Sequence, residues 1–80
     1  MFYYLTSEDG KQTRSLKRYD GESVVEIAKD IRHFNVLPKG YVFYERNFKP
    51  ETNERDLYEW HDGNTRKIDD GIVMYTFYIR

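Results

Sequence analysis

Ser23-Val24-Val25-Glu26 has the S-x-x-E pattern of a helix capping box, in which the serine hydroxyl and the glutamate carboxylate each satisfy a backbone N–H that the first turn leaves free. Val24, Ile27, Ala28, Ile31 and Phe34 then recur at i, i+3, i+4, i+7 and i+10. They form one apolar stripe, with Glu26, Lys29, Asp30 and His33 turned to water. Asn35 tolerates the left-handed conformation that closes a helix, and Pro38 beyond it blocks continuation. The spacing predicts a helix over 23–34, and no other segment carries such a pattern.

Everything else reads as strand and turn. Residues 2–6 (FYYLT) are aromatic and β-prone, and Asp9-Gly10 is the residue pair that tolerates a type I′ hairpin turn. Residues 12–19 (QTRSLKRY) form the returning strand. Its two faces are both weakly apolar and its charges suit an edge position. Residues 41–48 (YVFYERNF) carry Tyr41 and Phe43 on one side and Val42, Tyr44 and Phe48 on the other, which predicts a central strand. After the hydrophilic loop 49–54, three strands are expected at 57–61, 65–68 and 72–79, separated by Asp62-Gly63-Asn64 and Asp69-Asp70-Gly71. The order is β-β-α-β-β-(β)-β. The expected fold class is α+β: a single domain over 1–80, with one helix packed on a mostly antiparallel sheet. A helix of about three turns cannot cover such a sheet, so the far face must be exposed, closed by a second copy, or covered by a partner.

Composition sets the limits of that domain. Eighty residues allow one small core, and with no cysteine there is neither a disulfide nor a thiolate zinc site to staple it. Eight Tyr, five Phe and one Trp must supply most of the buried area. No signal-peptide pattern or long apolar run is present, which predicts a cytoplasmic chain without membrane association, and the Met1 start reads as that of a complete small reading frame. A formal net charge of −1 argues against both a general polyanion binder and an acidic nucleic-acid mimic.

Motifs for catalysis are missing: no phosphate-binding glycine pattern, no G-x-S-x-G, no H-E-x-x-H. His61 beside Asp62 suggests acid/base work, but the two alternate across a strand and no nucleophile accompanies them. The acids between 51 and 59 lack the spacing of a calcium loop. The reading is therefore not an enzyme, with no cofactor and no metal.

Two charge groupings remain. Lys11, Arg14, Lys17 and Arg18 crowd one stretch beside Phe2, Tyr3, Tyr4 and Tyr19, the combination with which sheet surfaces grip single-stranded nucleic acid. Glu51, Glu54, Asp56 and Glu59 form an acidic stretch interleaved with Tyr58 and Trp60, as protein-interaction hot spots are. Alternation puts Tyr58 and Trp60 on one face, which is core or interface as a unit.

Tyr19-x-x-Glu22-Ser23-x-x-Glu26-Ile27, a helix, and Leu37-Pro38-x-Gly40-Tyr41-x-Phe43, preceded by a hairpin, resemble the β-β-α-β layout of the small early proteins with which T7-like phages inhibit host RNA polymerase. The likeness spans 2–48, and residues 57–79 depart from it. It implies a phage- or mobile-element-encoded inhibitor of a host machine such as RNA polymerase; anti-CRISPR proteins share that style. The expected function is a non-enzymatic protein-binding inhibitor or modulator of a host protein, working through Glu51, Glu54, Asp56, Tyr58, Glu59 and Trp60. The alternatives are a single-stranded nucleic-acid binder using Lys11, Arg14, Lys17, Arg18 and Tyr19, and a homodimer.

Overall fold

The stretch whose spacing predicts a helix is the longest strand of the molecule. A computed structural model describes residues 1–7 and 14–78. It contains β1 (Phe2–Ser7), β2 (Arg14–Tyr19), β3 (Val24–Leu37), β4 (Tyr41–Lys49), β5 (Glu54–His61) and β6 (Asn64–Ile72). The six form one sheet in chain order, each pair antiparallel. The α+β expectation is therefore corrected to an all-antiparallel β fold. The one helical element among the described residues is the 3₁₀ turn Pro38–Gly40 between β3 and β4.

Two features of β3 account for the difference. Val24, Val25, Ile27, Ile31 and Val36 are β-branched and favour extended backbone. The strand is also irregular: its register slips against β2 between Arg14 and Lys17 and against β4 between Ile31 and His33, and Asp30 has φ 55°. Each bulge shifts the phase of the two-residue alternation. The residues of β3 turned to the core are Val25, Ile27, Ala28, Ile31 and Phe34, and the last four coincide with the stripe a helix would present. Ser23 is no N-cap. It closes the β2–β3 turn, where Asp20 Oδ1 accepts the backbone N–H groups of Glu22 and Ser23, each at 2.9 Å. The described residues of 2–48 thus contain no α-helix, and the β-β-α-β layout that carried the phage resemblance does not form.

Those two backbone N–H donors hold the Asp20 carboxyl below its ordinary value of 3.8. A carboxylate with a depressed folded pKa contributes stability that is present above its unfolded value and lost as pH falls through the folded one. Asp20→Asn keeps the accepting oxygen but removes the charge. The thermal midpoint of the variant is expected to fall less steeply than that of the wild type below pH 3.8; equal slopes would refute this role for Asp20.

Other boundaries follow their turn chemistry. Asp62 and Gly63 have φ 48° and 84°, the two positive angles of a two-residue hairpin turn between the paired His61 and Asn64. Asp69-Asp70-Gly71, expected as a turn, instead lies within β6, where Gly71 (φ 63°) sits at an irregular stretch of the β5–β6 pairing. Residues 73–78, expected as a final strand, are not in the sheet. The Asp9-Gly10 turn lies outside the described residues, although β1 and β2 pair as that hairpin requires. β2 is not an edge: β1 and β6 are, while β4 is interior as expected.

The sheet measures 41 × 39 × 16 Å, one layer rather than two. Its core face buries Leu16, Ile27, Ile31, Val42, Tyr44 and Trp60. Among the described residues no helix covers this face, and arginines lie over part of it, Arg18 over Trp60 at 5.2 Å and Arg46 over Tyr58 at 5.7 Å from the ring centroids. The opposite, outer face is crossed by residues 73–78 as a strap. Tyr75 donates a hydrogen bond to buried Glu45 and Phe77 packs on Phe43 at 5.1 Å.

Candidate interaction surface

Five of the six acidic and aromatic residues expected to form one site lie on β5, but the pleat divides them. Tyr58 and Trp60 point into the core face, where Tyr58 stacks on Tyr44 at 5.4 Å and Trp60 is 4 % exposed. They act as a unit, and the unit is core. Asp56 accepts a hydrogen bond from Asn47 at 2.7 Å and lies 3.9 Å from Lys67; the Asn47 bond and the Lys67 charge hold its carboxyl below the ordinary value. Glu59 alternates with Tyr58 and so projects from the outer face, 3.3 Å from Arg66. Glu51 lies exposed in the β4–β5 loop and Glu54 begins β5. Among these acids, Asp56 and Glu59 are met by cations of β6.

The basic stretch divides in the same way. β2 pairs with β1 without a break, so Arg14, Leu16 and Arg18 share the core face, and Arg18 is engaged with Trp60. Lys17 and Tyr19 occupy the outer face; Lys11 lies outside the described residues. Charge that is segregated along the chain is therefore interleaved in space. His61, the acid/base candidate, stacks on Tyr41 at 3.8 Å, and its Nε2 lies 3.1 Å from the Lys39 carbonyl oxygen, a structural use.

What the strand register does bring together is an apolar patch on the outer face. Tyr3 packs against the core, so its neighbours Phe2 and Tyr4 point the other way. Phe2 sits opposite Tyr19, and Tyr19 opposite Val24, giving a row across β1, β2 and β3. The Phe2 ring lies 5.5 Å from Tyr4 and 5.6 Å from Tyr19. The Tyr19 hydroxyl donates to the Gly21 carbonyl at 3.0 Å, which fixes that ring against the turn. Phe2 is 56 % and Val24 54 % exposed. In the next register row Lys17 stands between Tyr4 and Glu26. Period two within FYYLT is enough to place Phe2 and Tyr4 on one face. Val24 escapes such a reading, because the capping-box pattern places it in a helix.

Fold and surface define a single-sheet, all-antiparallel protein with an exposed aromatic patch near one edge. Compared with known proteins, the chain matches no protein family, no curated protein and no solved structure. Among the described residues no group of three or more His, Asp or Glu side chains could hold a metal ion, and no helix is long and apolar enough to cross a membrane.

Proposed function

We propose that the chain is a non-enzymatic protein-binding inhibitor or modulator that docks its partner on the outer-face patch of Phe2, Tyr4, Tyr19 and Val24. The supporting observation is the exposure of Phe2 and Val24 in one row with the half-buried Tyr19 ring, the half-buried Tyr4 ring lying beside Phe2 in the next row. Rigid rings partly held by their own sheet bury area on binding at little entropic cost, and contiguous apolar surface of this kind marks interaction sites. The reading rests on this surface and not on the phage resemblance. The nucleic-acid alternative has one described cation of its basic stretch, Lys17, on the aromatic face; Arg18 lies over Trp60 on the other.

The test is capture from a bacterial lysate by wild type and by Val24→Lys, with and without nuclease. A protein retained by the wild type, indifferent to nuclease and weakened about tenfold or more in the variant is the expected result, with the circular dichroism spectrum unchanged. Equal capture by both chains, or capture abolished by nuclease, would overturn it.

A further inference from the structure

A meander has two edges, and this one treats them differently. β6 carries Arg66, Lys67, Asp69 and Asp70, and its pairing with β5 is broken by two register shifts close to Gly71. Charges and bulges of this kind are what keep a sheet edge from accepting another strand. β1 has none of these protections. Phe2–Ser7 contains no charged residue, no proline and no glycine, and it pairs with β2 over six consecutive residues without a shift. Its outward N–H and C=O groups form a regular template for a further strand.

We infer that β1 pairs antiparallel with β1 of a second copy, extending the sheet across a two-fold axis. The axis stands perpendicular to the sheet, so both copies keep the same face on the same side, and residues opposite one another must come from the same face. Centred on Tyr4, the pairing sets Tyr4 against its own copy, Phe2 against Thr6 and Tyr3 against Leu5. Every row is uncharged, so no like charges meet across the dyad. Leu5, 36 % exposed at the free edge, gains Tyr3 of the second copy as its cross-strand neighbour. A self-pairing edge must be compatible with its own sequence, and β1 meets that condition along its whole length. β6 does not: the register shifts that flank Ile68 and lie between Asp69 and Ile72 break the two-residue alternation that a symmetric pairing needs. The dimer also sets two outer-face patches side by side, although it does not depend on what those patches bind.

Sedimentation equilibrium of the full chain over the micromolar range tests the inference. The wild type is expected to double in mass with concentration. Tyr4→Glu is expected to stay monomeric, because its carboxylate faces Lys17 within the chain but the identical carboxylate of the second copy across the dyad. Ile68→Glu on β6, at a residue 41 % exposed, and Val24→Lys on β3 are expected to dimerise like the wild type; Val24→Lys thus separates this inference from partner docking. A wild type that stays monomeric overturns it, as does dissociation by Ile68→Glu but not Tyr4→Glu. Should Tyr4→Glu lose its sheet spectrum, wild-type amide exchange decides. β1 protection that rises with concentration is the expected outcome, and protection independent of concentration refutes the pairing.

Discussion

Trp60→Ala is expected to destabilise the fold by about 3–5 kcal/mol, the cost of removing a large buried aromatic side chain and leaving its cavity. Trp60 is 4 % exposed and belongs to the cluster of Leu16, Ile27, Ile31, Val42 and Tyr44. For a domain of this length total stability is about 4–12 kcal/mol, so the single change removes a large share of it. Chemical denaturation followed by circular dichroism reads the effect directly. A variant that keeps its sheet spectrum and midpoint but loses a partner would return Trp60 to the role first expected of it. The roof over the ring matters as well: the Arg18 guanidinium shields the indole from water on a face that no helix covers among the described residues.

The second large effect is expected at Glu45. This carboxylate is 6 % exposed, accepts a hydrogen bond from the Tyr75 hydroxyl and lies 3.8 Å from Arg55, itself largely buried. Glu45→Ala leaves Arg55 without its anion and the Tyr75 hydroxyl without an acceptor. Loss of one partner from a buried pair costs about 3–5 kcal/mol, and the strap over residues 73–78 loses its polar anchor. Tyr75→Phe removes only the hydroxyl and should cost about 1 kcal/mol. Burial raises the Tyr75 phenol well above its ordinary value of 10, and the Glu45 hydrogen bond and charge raise it further; burial raises Tyr44 in the same direction. An acid whose folded pKa is raised contributes stability that is present below the unfolded value and is lost as pH rises, because the unfolded chain gives up its proton first. Stability should therefore fall as pH climbs past 10, less steeply in Tyr75→Phe than in the wild type. Parallel profiles would show that the strap does not hold this phenol.

β1, β2, β4 and β5 are legible in the sequence because each is a short run, mostly aromatic or β-prone, bounded by turn residues with one conformational meaning, such as Asp62-Gly63. β3 is not. Its bulges bring Ile27, Ala28, Ile31 and Phe34 to the core where a helix stripe would also place them, and Asp20, whose carboxylate organises the turn, stands three positions before the serine that reads as a cap. Periodicity cannot separate a bulged strand from a helix; the β-branched content of Val24, Val25, Ile27 and Ile31 is the better guide. Gly71 misleads in the opposite way, since the positive φ that marks a turn serves equally at an irregular strand position. For the surface, the shared face of Tyr58 and Trp60 is readable but its burial is not. Burial depends on which strands lie across the sheet, and so does the meeting of β5 carboxylates with β6 cations.

The chain-order arrangement of the strands has a kinetic side. Every main-chain pairing joins strands adjacent in the chain, so no strand waits for a distant one before its first hydrogen bonds close. Low contact order of this kind favours fast folding, with hairpins forming in about 1–10 μs. The β5–β6 hairpin, closed by two residues, is the natural first element, and β4, β3, β2 and β1 can then zip on in turn. β1 comes last on that route. The strand with the least guarded edge is thus the one whose own register is already set when a second copy arrives.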